Sequence, residues 1–241
     1  MNKKIFAELL THSQNDTNKI TQPYIKEKFG VQSDYFEIDL TEKDSSKSIF
    51  NWVKKNEYSI DFLINNAGFG GVGSFEDYSI EYIEKMIDLN VKATTNLTHY
   101  FIPDLKNNSP SYILNNASMI ANFPCPYKSI YAASKVYVKY FTEALRVELK
   151  VYDISVSLLQ PGATPTNDVV KNQINKGGFF ARLSVTAASE VAKKAIRDTL
   201  SGKPIIIPGW KNRMSLRFLK IFPKSALRFL ILRSTKSILK S

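Results

Sequence analysis

Residues Ile60-Asp61-Phe62-Leu63-Ile64-Asn65 form a short, nearly continuous apolar run that ends in Asn65-Asn66-Ala67-Gly68. A run without the in-out alternation of a half-solvated strand predicts a strand covered on both faces, the pattern of parallel sheets. Its neighbours repeat the theme. Upstream, Asp34 to Leu40 reads as a strand and about Lys43 to Lys55 as a helix. Downstream come a long helical pattern from about Ser79 to Leu105, a strand at Ser111 to Asn115 and a helix from Tyr131 to about Val151. Ile154 to Leu159, Ala188 to Leu200 and Pro204 to Ile207 then read as strand, helix and strand. Alternating strands and helices predict an α/β fold, a doubly wound, Rossmann-like parallel sheet with helices on both faces.

The composition agrees with this reading. A chain of 241 residues, 44% hydrophobic and 23% charged, suits one sizeable domain and excludes disordered, collagenous or disulfide-built proteins. A single cysteine, Cys125, cannot form an intrachain disulfide, and with only His12 and His99 beside it no zinc cluster of the usual ligands can be assembled. No metal site is expected. No apolar run reaches the length of a membrane span, and Glu8 interrupts the one N-terminal stretch that imitates a leader, so the expected compartment is the cytoplasm.

Gly68-Phe69-Gly70-Gly71-Val72-Gly73 matches a dinucleotide-type glycine motif letter for letter. The match is a poor one physically, because the next helical pattern starts several residues after the last glycine and not on it. A small-residue loop lining a crevice at the strand's carboxyl end is the preferred reading.

The chemistry sits further on. Tyr131-Ala132-Ala133-Ser134-Lys135 puts a phenol and an ammonium on one helix face. A tyrosine with a pKa of about 10 is a weak acid–base catalyst at neutral pH, and lowering it by about three units takes roughly 4 kcal/mol of differential stabilisation. A neighbouring lysine is the expected source. Ser118 lies thirteen residues earlier, just beyond a strand end, and Pro161-Gly162 follows another strand end thirty residues later. Asn90 falls inside the long helical pattern. A second Tyr-x-x-x-Lys, Tyr24 to Lys28, lacks this context and reads as a solvated helix face.

Together these segments, in this order and spacing over about residues 30–210, resemble the classical short-chain dehydrogenase/reductase family. The resemblance implies hydride transfer between NAD or NADP and a carbonyl or alcohol. It implies Tyr131 as proton donor, Lys135 as the group that lowers its pKa and holds the nicotinamide ribose, Ser118 as the group orienting the substrate carbonyl, and Asn90 as holder of a relay water. It also implies cofactor contacts at Asp39 and Leu40 on the adenine side, at Asn65, Ala67 and Gly68, and at Pro161, Gly162 and Thr166 beside the carboxamide. NAD and NADP are not distinguished. Phe179-Phe180 and Phe123 to Pro126 are candidate covers of the substrate mouth.

One departure stands out. The family's opening strand and its Gly-x-x-x-Gly-x-Gly turn have no counterpart, since no glycine precedes Gly30. Ile5, Phe6, Leu9 and Leu10 share a helical face, so residues 4–10 read as the helix that follows such a turn, with residues 4–12 as a second strand the alternative. The sheet is therefore expected without its first strand and with its second absent or shortened. A translation start upstream of Met1 is preferred over a decayed gene or a non-catalytic relative.

The formal charge is +11, yet residues 211–241 hold nine Lys or Arg and no acid, leaving +2 for residues 1–210. The reading is one domain over 1–210 with a basic amphipathic helical extension over 211–241, its helices separated at Pro223. Nucleic acid is not the expected partner. The extension suits a cover over the core or substrate cleft, or contact with an anionic membrane surface. A homodimer through the long helices is implied by the resemblance, and a non-catalytic protein that binds membrane or nucleic acid through its C-terminus is the alternative function.

Overall fold

The computed structural model describes residues 6–7, 25–165, 172, 184–221 and 232. Its strands are β1 (Phe6–Ala7), β2 (Ser33–Asp34), β3 (Phe62–Asn65), β4 (Ser111–Asn116), β5 (Ile154–Leu159) and β6 (Ile205–Ile206). Its helices are α1 (Ser45–Lys55), α2 (Ile80–Ile87), α3 (Thr94–Asn107), α4 (Ser129–Leu149), α5 (Ala188–Leu200) and α6 (Trp210–Ile221), with a helical segment at 25–29. Strands β3-β4-β5-β6 form one parallel sheet in that order, and β1 pairs with β2, also in parallel, as a separate two-stranded sheet.

Alternation along the strands assigns the two layers. Leu63, Ile113 and Val156 pack with Ile49 and Val53 of α1, Leu97 and Phe101 of α3, and Leu145 and Leu149 of α4. Leu114 and Leu159 point the other way and meet Val191 and Ala195 of α5 and Ile206 of β6. The doubly wound reading is thus observed. Over β3 the second layer is thinner: Ile64 is 38% exposed, although its sequence context predicts burial.

Helix ends follow local chemistry. Ser79 caps α2 by accepting from the Tyr82 backbone N–H at 3.2 Å, and Lys54 and Lys55 close α1 where its dipole favours cations. The expected single helix over 79–105 is divided into α2 and α3 by a π-helical turn at Asp88–Ala93, with Asn90 inside it. One extra residue in the winding re-aims side chains, which is why such turns gather at functional positions.

Three expectations are corrected. The strand expected over 34–40 is only Ser33–Asp34, because Asp39 Oδ1 accepts from both the Thr41 N–H and hydroxyl at 2.8 Å and folds the chain into a turn. The helix expected over 4–10 is not formed at Phe6–Ala7, which lie opposite Ser33 and Asp34 in a parallel ladder, as the alternative reading has it. The last strand is confined to Ile205–Ile206. Around Lys26 and Lys28 the helical segment is exposed, as a solvated face requires. Tyr24, Thr166, Phe179, Phe180 and Pro223 lie outside the described residues. The start of the basic extension, α6, packs onto the body: Asn212 is 1% and Leu216 4% exposed, on one face four residues apart.

Candidate active site

Strands β3, β4 and β5 all end on the same side, where open parallel sheets bind their ligands. Past β4, Ala117 is buried and Ser118 is extended. The Ser118 Oγ accepts from the Ile120 N–H at 3.3 Å, capping a 3-10 turn at Met119–Asn122. The Met119 N–H donates to the Pro161 carbonyl at 3.0 Å, which knits this turn to the segment after β5. Helix α4 starts at Ser129, so Tyr131 and Lys135 occupy its first turns and face the same crevice.

The Tyr131 hydroxyl lies near enough to Ser118 for the serine to favour its ionised form. Lys135 is buried, its Nζ donates to the Asn116 carbonyl at 2.9 Å, and it lies 5.9 Å from the Tyr131 ring centre. Burial pushes the phenol above its usual pKa, with Ser118 acting in the opposite sense. Burial also pulls the lysine down to about 8. The upward direction at Tyr131 comes from burial, while the Lys135 ammonium is engaged by the Asn116 carbonyl. At neutral pH the phenol keeps its proton, and the opposing pull comes from Ser118.

The glycine segment 68–73 forms a loop against this cluster, not a turn opening a helix. A Cβ at Gly68 would lie 2.8 Å from Asn90 Oδ1 and 3.1 Å from Lys135 Nζ, and one at Gly70 would lie 2.6 Å from the Tyr131 ring. Both positions need the close approach that only glycine allows. Asn90 holds the loop from beneath: its Oδ1 accepts from the Phe69 N–H at 3.0 Å, and its Nδ2 donates to the Phe69 carbonyl at 2.9 Å and to Ser134 Oγ at 3.0 Å. Both amide protons are taken, so the relay-water role expected of Asn90 does not belong to its side-chain donors. Gly73 donates to the Tyr127 carbonyl at 3.0 Å and joins the loop to the segment ahead of α4. There Cys125 is buried, and burial raises its thiol, which keeps it protonated.

The expected cofactor residues divide. The Asn65 amide faces the interior, donating to Thr98 Oγ1 at 3.0 Å and Asn115 Oδ1 at 2.8 Å, while Asn115 Nδ2 reaches Thr142 Oγ1 at 3.0 Å. This buried chain ties β3 and β4 to α3 and α4, with the Asn65 side-chain amide N–H groups spent on it. Leu40 is 4% exposed and belongs to the core, with its carbonyl accepting from Ser45 Oγ at 3.1 Å, and the Asp39 carboxylate is occupied with Thr41. The adenine-side assignment therefore finds its side chains engaged within the chain. Ala67 also packs against the core.

Pro161 and Gly162 do lie beside Ser118. A Cβ at Gly162 would come within 2.3 Å of the Ser184 carbonyl and 2.7 Å of Asn212 Nδ2. Asn212, which the sequence reading missed, donates to the Ser184 carbonyl at 3.2 Å, Thr186 Oγ1 at 3.1 Å and the Pro208 carbonyl at 2.9 Å. It anchors α6 to the chain returning from the segment after Gly162. The signal was a polar residue on the apolar face shared with Leu216.

The polar groups here suit a nicotinamide ribose. The buried Asn116 Oδ1 has no hydrogen-bond partner among the described residues, beside the carbonyl that holds Lys135, and can accept from a ligand hydroxyl. Tyr131, Lys135 and Asn116 would hold that half. Among the described residues no glycine turn at a helix N-terminus is present to receive a diphosphate. No group of three potential metal ligands occurs among them either.

The family model for short chain dehydrogenases matches residues 3–176. A probable short-chain type dehydrogenase/reductase, VdlC, of Helicobacter pylori is 30% identical over 190 residues, which cover 76% of this chain and 70% of that protein. The 11-beta-hydroxysteroid dehydrogenase-like protein 3 of Arabidopsis thaliana is 34% identical over 174 residues, covering 71% of this chain but only 55% of the relative. A solved structure described as giving insights into 7beta-hydroxysteroid dehydrogenase stereoselectivity superimposes with a TM-score of 0.79 at 20% identity, covering 94% of this chain and 85% of that one, a likeness of fold. With Tyr131, Ser118 and Lys135 gathered beyond the strand ends, the chain belongs to the short-chain dehydrogenase/reductase family of oxidoreductases.

Proposed function

We propose that Tyr131 is the proton donor as hydride passes between NAD(P)H and a lipophilic ketone or secondary alcohol. The observation that carries this reading is Tyr131 set against Ser118 at the strand ends, with Lys135 buried one helical turn away and held on the Asn116 carbonyl. The cofactor, when bound, supplies the hydride. Ser118 orients a carbonyl oxygen by its hydroxyl. Tyr131, protonated at neutral pH because burial raises its pKa, gives that oxygen its proton. Lys135, held on Asn116, is the nearby positive charge that compensates the phenolate left behind. The hydroxysteroid name of a relative supports a bulky alicyclic substrate, and the aromatic wall of Phe69, Tyr78 and Tyr82 beside the glycine loop suits one. Oxidation of NADPH and NADH with a panel of cyclic ketones tests the reading. Turnover in wild type that survives Tyr131→Phe unchanged rejects it.

Two associations belong to the same proposal. The outer face of α4 exposes Tyr140 and Val147, which favours a homodimer, read by analytical ultracentrifugation. Trp210, Met214 and Phe218 recur every four residues on the exposed side of α6 among Lys211, Arg213 and Arg217, which favours contact with anionic membranes. Flotation with phosphatidylserine vesicles, absent with phosphatidylcholine alone, is the expected result. No described helix is long and apolar enough to cross a membrane.

A further inference from the structure

On the α4 face of the sheet, at its β6 edge, lies a groove of about 520 Å³ that none of Ser118, Tyr131, Lys135 or Gly162 lines. Its walls include Ile205, Ile207 and Leu216, and its volume is that of a small-molecule site. Gln160, at the end of β5, is 2% exposed, and its Nε2 has no hydrogen-bond partner among the described residues although it borders this groove. A buried amide donor left unsatisfied is costly, so a ligand oxygen that accepts from it gains what the fold forgoes. Charge sets the ligand's sign: Lys139, Arg213 and Arg217 border the groove against a single acid, Glu143. Residues 222–241 add only further Lys and Arg and no acid, so the positive sign of this end of the chain is not offset there.

We infer that this groove is a second binding site, separate from the catalytic crevice, for a small anionic amphiphile such as a medium-chain fatty carboxylate. The apolar body lies along Ile205, Ile207 and Leu216, and a carboxylate oxygen accepts from Gln160 Nε2 within the field of the three cations.

Titration of the full chain with monomeric dodecanoate, dodecan-1-ol and dodecylamine tests this, read by calorimetry and by the emission of Trp210, which borders the groove. Dodecanoate is expected to saturate and to bind about tenfold or more tightly than the alcohol or amine, a difference of about 1.4 kcal/mol. Gln160→Leu and, independently, Arg217→Glu are each expected to weaken it at least about fivefold. Gln160→Leu removes an unsatisfied buried donor and Arg217→Glu changes a residue of the exposed α6, so circular dichroism should report both folded. No saturable binding, equal binding of carboxylate and alcohol, unchanged affinity in both variants, or an effect produced only by anionic vesicles would each overturn the inference.

Discussion

The two sheets differ in how much holds them. Strands β3, β4 and β5 run in register over four to six residue pairs, and the Thr98–Asn65–Asn115–Thr142 side chains tie β3 and β4 to helices α3 and α4. Strands β1 and β2 share two residue pairs, and among the ties of β2 to the larger body is a hydrogen bond from Tyr58 OH to Asp34 Oδ2 at 2.5 Å, with Phe36 stacked on Trp52 nearby. Ser118, Tyr131 and Lys135, the proposed proton-transfer groups, sit at the end of β4 and on helix α4 packed against the larger sheet. The lesson is one of rigidity: a donor must be held to fractions of an ångström, and only the densely bonded sheet provides that.

The largest expected effect tests whether the chemistry does reside there. Tyr131→Phe should lower carbonyl reduction by about 10² to 10⁴-fold with the circular dichroism spectrum unchanged. Gly70→Ala comes next: its Cβ would meet the Tyr131 ring at 2.6 Å, and a displaced phenol can cost up to about a hundredfold in kcat.

The pH profile sharpens the role of Lys135. Its pKa is lowered to about 8, so the ammonium is present below that value and lost as pH rises through it. Reductive turnover should therefore fall above pH about 8, roughly tenfold per unit once the lysine is neutral. The guanidinium of Lys135→Arg stays charged, so that limb should vanish whatever the variant's absolute rate. A limb that persists would assign it to another group.

Two stability measurements compare the sheets directly. Asn65→Leu leaves Thr98 and Asn115 without their donor and should cost about 2–3 kcal/mol in urea unfolding. Tyr58→Phe removes only one tie to β2 and should cost about 1 kcal/mol. Desolvation and the neighbouring Asp34 raise the Tyr58 pKa to about 12. The folded state thus keeps a proton that the unfolded chain gives up near pH 10, so this contribution is complete below pH 10 and fades toward 12, a loss that Tyr58→Phe should not show. Equal costs for the two variants would erase the contrast between the sheets.

What could be read in advance followed how local the cause was. Strand β5 and helix α5 were legible to the residue, because apolar runs and helical periods are properties of the chain itself. Ser118, Tyr131 and Lys135 were legible as a set because strand ends and one helix face bring fixed spacings together. Strand 34–40 was overread, since a carboxylate turning back on Thr41 outweighs an apolar pattern.

The sequence alone determined the order of strands and helices, the phenol–lysine pair one turn apart, and the concentration of positive charge after Trp210. Tertiary structure alone decided the rest. It turned Asn65 inward as a tie between layers, spent the Asn90 amide on the Phe69 backbone, and brought Asn212 from a surface helix to the edge of Gly162. It also buried Tyr131, which raises the phenol's pKa. The reason is the same in each case: a hydrogen-bond partner or a loss of water is set by what folds alongside, at distances along the chain that no local pattern records.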